Sequence, residues 1–205
     1  MINPASRFQA VVNNFSKNEQ QVAACWHELE TAYSSPGRHY HTLRHIEQML
    51  TALDEVKEAC TDPEAIRLAI FYHDIVYNAQ RKDNEARSAV IARKRLAMLG
   101  FKRIGKVVAL ILATRKHEKS EDRDTNYLLD IDLNILGAAW PQYLDYAQQV
   151  REEYIIYPDE LYKPGRVQVL RHFLSAARIF KTDYFYNKLE ARARGNLQKE
   201  IMLLS

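Results

Sequence analysis

The chain of 205 residues is long enough for one domain with a sizeable core and short for two. Its composition, 47% hydrophobic and 27% charged, is that of a globular protein, and no apolar run approaches the roughly 20 residues that cross a bilayer. The formal charge of +3 does not require a nucleic-acid partner, and two cysteines without a CxxC motif exclude a zinc ribbon or a disulfide framework. Any metal would therefore be held by nitrogen and oxygen.

The first fifteen residues, MINPASRFQAVVNNF, lack the basic, apolar and small-residue segments of a secretory signal. We therefore expect a cytoplasmic protein, with no membrane partner, in which Cys25 and Cys60 are reduced and buried. Basic residues are spread among acidic ones except in the last quarter of the chain, which is typical of a solvated helical surface. The same cations would suit a small phosphorylated substrate.

Glycine and proline are sparse, with six of each, and most of them separate segments that have helical periodicity. The segment from Thr61 to Tyr77 shows this best, because Thr61 or Asp62 can cap a helix whose first turn contains Pro63. This helix is apolar on nearly all sides, which predicts a central position. The sequence predicts one all-α bundle of about eight to ten helices. Its predicted helices span residues 4–15, 18–33, 41–60, 63–77, 84–99, 102–117, 124–136, 140–156, 164–180 and 183–203.

Two histidines four residues apart, His41 and His45, follow the loop residues SSPG in the stretch RHYHTLRHI. On one helix they would lie one turn apart on the same face and could point into the same cavity. The spacing alone does not distinguish a metal site from a polar helix face.

His73 and Asp74 end the central apolar helix, where an imidazole and a carboxylate are costly to bury unless each has a partner. A metal ion would be a partner for both. Neighbouring side chains on a helix point about 100° apart, so they converge on one ion only near a helix end or with the ion to one side. In the alternative interpretation Asp74 caps a helix or pairs with an arginine, and His73 is a hydrogen-bonded core residue.

Two aspartates, Asp130 and Asp132, interrupt the otherwise apolar stretch LLDIDLNILG. Acidic side chains in such a setting need cations or backbone N–H groups as partners. Either residue could therefore be a metal ligand or a cap of the short helix LNILG.

These motifs together resemble the metal site of the HD-domain phosphohydrolase superfamily. They are most similar to a bacterial group of metal-dependent HD phosphohydrolases of this length, whose pattern is YHxxxHI, YHDxxY, NExxSA, a late DxDL and a basic C-terminal helix. The chain has YHTLRHI at 40–46, YHDIVY at 72–77, NEARSA at 84–89 and DIDL at 130–133. The resemblance spans nearly the whole chain and implies a single HD-type domain over residues 1–205.

The resemblance implies four metal ligands, namely His45, His73, Asp74 and one of the two late aspartates. We favour Asp132 over Asp130, because Asp132 is followed by the short apolar helix LNILG. The remaining coordination positions would be left for water and a substrate oxygen.

Further polar residues could complete such a site. His41 matches a position that acts as a general acid toward the leaving oxygen in related phosphodiesterases, or it supports a ligand by hydrogen bonding. Glu85 could orient the attacking water or a ligand histidine, or it could stabilise a helix N-terminus. His117 either lines the same cavity or is a solvated residue at a helix end. Cations that could balance phosphate charge, or else belong to the surface, are Arg38, Arg44, Arg115, Lys116, Lys163 and Arg166.

The resemblance implies hydrolysis of a small phosphate ester, such as a nucleotide, by attack of metal-bound water on phosphorus. A divalent ion is required, and the nitrogen and oxygen ligands suit Mn, Fe, Co, Ni or Zn and tolerate Mg. Two alternatives stay open: an HD-type di-iron oxygenase, with further ligands from His41 and His117, and a nucleotide-binding sensor without catalysis. The basic C-terminal helix could pack, form a homodimer or reach the pocket.

Overall fold

The computed structural model describes residues 3–204, and this part of the chain is all-helical without a strand. The predicted all-α fold is therefore confirmed. None of the helices in residues 3–204 is both long and apolar enough to cross a membrane. The ten helices of the described residues are α1 (Pro4–Val12), α2 (Glu19–Tyr33), α3 (Leu43–Val56), α4 (Pro63–Tyr72), α5 (Asn84–Met98), α6 (Ile104–Ala113), α7 (Arg123–Asp132), α8 (Trp140–Glu153), α9 (Asp159–Ser175) and α10 (Asp183–Leu204). Short 3₁₀ segments follow α3 at Lys57–Ala59 and α7 at Leu133–Gly137.

One helix start differs from its prediction by five residues. The sequence places a helix start at Pro164, because proline is favoured in a first turn. In the structure α9 begins at Asp159, after an extended Pro158, and Pro164 lies inside the helix. Asp159 and Glu160 occupy the first turn, where carboxylates are stabilised by the positive end of the helix dipole. The predicted helix start at residue 164 is therefore wrong.

Helix α4 is largely buried. Asp62 caps it, as predicted, by accepting a hydrogen bond of 3.0 Å from the backbone N–H of Ala65. From Ala65 to Tyr72 every residue except Arg67 is buried. Burial of each large apolar side chain contributes about 1.5–3 kcal/mol, so the end of this helix is held firmly.

The chain divides into two compact units, Met1–Leu128 and Leu129–Ser205, and the boundary falls within α7. In the first unit α4 packs against α1, α3, α5 and α6, and in the second α10 packs against α8, α9 and the 3₁₀ segment Leu133–Gly137. At Gly137 an added Cβ would lie 2.6 Å from the Cβ of Leu189, so this contact requires glycine. The single HD-type domain over residues 1–205 stays a prediction.

Two polar side chains of α10, Arg194 and Asn196, bind backbone carbonyl groups of the second unit. Arg194 donates hydrogen bonds to the carbonyl oxygens of Leu174 (3.0 Å) and Ala176 (2.7 Å), at the end of α9. Asn196 donates to both carbonyl groups that flank Gly137 (2.8 and 2.9 Å). Helix ends leave carbonyl groups without intrahelical partners, so these side chains complete the packing of the unit.

The two cysteines are free thiols, Cys25 buried and Cys60 half-buried. Burial raises the pKa of Cys25, and burial together with the nearby Asp124 raises the pKa of Cys60 to about 11. Both thiols are therefore protonated near neutral pH, which makes them weak nucleophiles.

Candidate metal centre

His41 and His45 lie on different backbone elements. Helix α3 begins at Leu43 after an extended Thr42, so His45 is in the first turn while His41 precedes the helix. The predicted placement of both histidines on one helix face is therefore wrong. Their ring centroids are nevertheless 5.7 Å apart.

His73 and Asp74 lie at the end of α4, as predicted. His73 keeps helical backbone angles, and its N–H donates to the carbonyl of Ala69 at 2.8 Å, but the helix does not continue beyond it. This ending lets the adjacent side chains converge. The Nε2 atom of His73 lies 3.1 Å from Oδ2 of Asp74.

A hydrogen bond at the other ring nitrogen defines the state of His73. Its Nδ1 lies 2.8 Å from the carbonyl oxygen of Ile70. Because a carbonyl oxygen only accepts, Nδ1 carries the proton, and in the neutral ring Nε2 presents its lone pair. This lone pair and the Asp74 carboxylate would repel each other at 3.1 Å unless a cation lies between them. That cation is either a proton on Nε2 or a metal ion.

His45 is close enough to His73 and Asp74 to be a third ligand of the same ion. His45, His73 and Asp74 each offer one ligand atom, and these atoms all lie within 4.8 Å of one another. The side chains of His45 and His73 are buried, and that of Asp74 is 15% exposed. Bonds of about 2.0–2.2 Å from nitrogen and oxygen to a zinc-sized ion place ligand atoms at separations of this order. The donor set therefore fits a divalent ion of intermediate hardness.

Arg38 connects the two backbone segments that carry these side chains. Its guanidinium donates to the carbonyl oxygens of His41 (3.2 Å), Asp74 (2.7 Å) and Ile75 (3.0 Å). The Tyr33 hydroxyl accepts from the backbone N–H of Asp74 at 3.3 Å. Arg38 thus positions the site by binding backbone, a role that sequence reasoning missed when it placed this residue among the phosphate-binding cations.

The NEARSA motif at the start of α5 holds the loop that follows Asp74. The hydroxyl of the buried Ser88 accepts from the N–H of Val76 at 3.1 Å and lies 3.4 Å from its carbonyl oxygen. Asn84 donates to the carbonyl of Asn78 at 2.9 Å. Glu85 is half-buried in the first turn of α5, and its predicted catalytic role stays a prediction.

His41 lies on the more exposed side of the cluster. Its Nε2 is 3.8 Å from Oδ2 of Asp74, and its ring stacks on Tyr77 with centroids 4.3 Å apart. The side chain is 21% exposed, against 1% for His73. A histidine beside the ligands but open to solvent can exchange protons, which suits the predicted general acid.

The other predicted residues of the first unit lie near helix ends or on the surface. His117 is half-buried after α6 and has a left-handed backbone, with φ of 52°, which is uncommon for a residue with a Cβ. Arg44, Arg115 and Lys116 are exposed. Their substrate-binding roles stay predictions.

Three predicted residues belong to the second unit. Lys163 is exposed and pairs with Asp159 at 3.4 Å. Arg166 has a side chain only 9% exposed and binds Glu200 through its Nε at 2.7 Å. The sequence predicts that this guanidinium binds a substrate phosphate, but in the structure it is already paired with Glu200. Asp132, the third residue, is half-buried.

The two late aspartates have different surroundings. Asp130 is fully buried and accepts from the backbone N–H groups of Lys181 (2.8 Å) and Thr182 (2.7 Å), just before α10. Burial raises the pKa of Asp130, and these hydrogen bonds oppose the rise. Asp130 therefore stabilises a helix N-terminus, though that of α10 and not that of LNILG. Asp132 is the last residue of α7, directly before LNILG, and its role as the late ligand stays a prediction.

Comparison of the chain with protein-family models, curated proteins and solved structures found no match. The assignment of a function to this site therefore depends on its residues and their geometry.

Proposed function

We propose that this protein is a metal-dependent phosphohydrolase of the HD type, with His45, His73 and Asp74 as ligands of a divalent ion. The observation that carries the proposal is the geometry of His73. Its Nδ1 donates to the Ile70 carbonyl, while its buried Nε2 faces Asp74 at 3.1 Å. Histidines that bind metals usually donate their other ring N–H to a backbone carbonyl or a carboxylate, as His73 does to Ile70.

The residues around the ion would have different roles in the hydrolysis of a small phosphate ester. A divalent ion at this site would lower the pKa of a coordinated water and withdraw charge from a phosphoryl oxygen. His41, beside Asp74 and partly exposed, would deliver a proton to the leaving oxygen. Arg44 and Arg115 are exposed cations of the first unit that would attract the phosphate.

Phosphate release tests this function directly. The protein is freed of metal with a chelator, returned to buffer, and assayed with nitrophenyl phosphate and a panel of nucleoside monophosphates, with and without added Mn²⁺. We expect product only with metal present. Equal product release from the metal-free protein would contradict the proposal. Consumption of dioxygen by the iron-loaded protein, without phosphate release, would support the oxygenase instead.

A further inference from the structure

The tyrosine that ends the YHDIVY motif, Tyr77, lies against the ring of His41. The two rings are stacked, with centroids 4.3 Å apart and an angle of 29° between their planes. Tyr77 is half-buried and the side chain of His41 is 21% exposed, so the tyrosine ring covers one face of a partly exposed imidazole. The proposed hydrolysis uses His41 but gives this tyrosine no role.

His41 depends on its neighbours for a fixed orientation, because it precedes α3 and lies outside the helix. An imidazole on such a segment can rotate about two side-chain bonds. Tyr40 contacts the same ring in a T-shaped arrangement, with centroids 5.0 Å apart and an angle of 82°. Stacked and T-shaped contacts are the preferred geometries of aromatic pairs, so the two tyrosines together restrict the rotation of the His41 ring.

The position of Tyr77 is itself fixed by Arg38. The guanidinium carbon of Arg38 lies over the Tyr77 ring, 5.5 Å from its centroid, and over the Tyr33 ring at 4.9 Å. A cation within about 6 Å of a ring centroid is attracted to the face of that ring. The same guanidinium donates to the carbonyl oxygen of His41 at 3.2 Å. One side chain therefore holds both the backbone of His41 and the tyrosine on which its ring stacks.

We propose that Tyr77 is a positioning residue that holds the His41 ring in the orientation needed to deliver a proton to the leaving oxygen. This inference rests on the proposed function. In that step the P–O bond to the leaving group breaks, the proton on Nε2 of His41 moves to the leaving oxygen, and phosphorus binds the oxygen of a water molecule. The water releases one proton to solvent, and solvent restores the proton of His41. Because proton transfer requires hydrogen-bond distance and alignment, a ring that rotates freely would deliver the proton less often.

The basicity of the leaving group distinguishes this role from a structural one. Nitrophenolate leaves readily as an anion, whereas phenolate is more basic and leaves faster with a proton. Tyr77→Leu should therefore lower turnover of phenyl phosphate about 10–100-fold and that of nitrophenyl phosphate less than about 3-fold. Tyr77→Phe keeps the stacked ring and should restore turnover of both. Tyr184→Leu, at a 39% exposed tyrosine of α10, is the matched control and should alter neither. An equal loss on both substrates would overturn the proposal.

A double variant tests whether Tyr77 acts through His41. With phenyl phosphate, His41→Ala should lower turnover about 100-fold or more, and Tyr77→Leu should add no further loss in that background. Losses that multiply would show that the two side chains act independently and would overturn the proposal. Absence of phosphate release from the wild-type protein, with every substrate, would instead contradict the proposed function on which this inference rests.

Proton NMR of the metal-free protein gives a readout that does not depend on turnover. An imidazole stacked on a tyrosine lies in the shielding region of that ring, so the carbon-bound ring protons of His41 should resonate at high field. Their signals are assigned by their absence from His41→Ala. The high-field shift should persist in Tyr77→Phe and be lost in Tyr77→Leu. The same chemical shifts in the wild-type protein and Tyr77→Leu would overturn the stacking on which the proposal depends.

Discussion

Replacement of Asp74 by alanine is expected to lower metal-dependent phosphate release about 10³-fold, which corresponds to about 4 kcal/mol of lost transition-state stabilisation. The carboxylate is one of the three proposed ligand groups, and its loss would leave His45 and His73 with too few partners to hold an ion. The fold should survive, because the bonds to Tyr33 and Arg38 use the backbone N–H and C=O of residue 74. Steady-state phosphate release at saturating Mn²⁺ measures the effect.

A matched control comes from the same unit. His27 is an exposed histidine on α2, and His27→Ala removes an imidazole without touching the cluster. This variant should keep wild-type turnover. If Asp74→Ala and His27→Ala released phosphate at the same rate, while both were folded by circular dichroism, Asp74 would have no part in the reaction.

Replacement of Arg166 by alanine is expected to lower the free energy of unfolding by about 3–5 kcal/mol, the usual cost of removing one partner from a buried ion pair. Glu200, whose side chain is 5% exposed, accepts from Arg166 at 2.7 Å and from the Tyr143 hydroxyl. Burial, with a contribution from Glu200, raises the pKa of Tyr143, so this hydroxyl stays protonated and continues to donate. Without Arg166 the carboxylate would keep its buried position but lose its counter-ion. Urea denaturation measures the change.

An exposed ion pair of the same unit provides the comparison. Arg178 pairs with Asp183 at 2.8 Å, with both side chains largely in water, so Arg178→Ala should change stability little. Equal stability of the two variants would show that the Glu200 pair contributes nothing to folding. A stable Arg166→Ala protein with impaired phosphate release would instead restore the substrate-binding role that the sequence predicts for Arg166.

The sequence predicted well those features that depend on short-range signals. All ten helices were predicted from periodicity and from local caps such as Asp62 before Pro63. His73 and Asp74 were expected at the end of the apolar helix, although its predicted span ran to residue 77 and α4 ends at Tyr72. Because these signals lie within one or two helical turns, the position of His73 and Asp74 at a helix end was predictable. His45 was placed in a helix correctly, and His41 was not.

The errors have a common physical reason. Thr42, the N-cap of α3, makes no side-chain capping bond, so the local signal for a helix start after His41 is weak. Arg38 and Asp130 bind backbone groups 36 and 51 residues away along the chain. A sequence shows which side chains can form hydrogen bonds, but the positions of distant carbonyl and N–H groups are known only from the fold. The sequence therefore counted basic and acidic residues that have structural partners among the candidates for a functional role.

Metal binding to the purified, metal-free protein tests the central claim most directly. The chain and its variants are dialysed against Zn²⁺ or Mn²⁺, and the bound ion is counted by elemental analysis. The wild-type protein and His27→Ala should each retain one ion per chain, and His45→Ala and His73→Ala should retain none. If His73→Ala bound the same amount of metal as the wild-type protein, the close approach of His73 to Asp74 would be an ion pair with a protonated imidazole and not a metal centre.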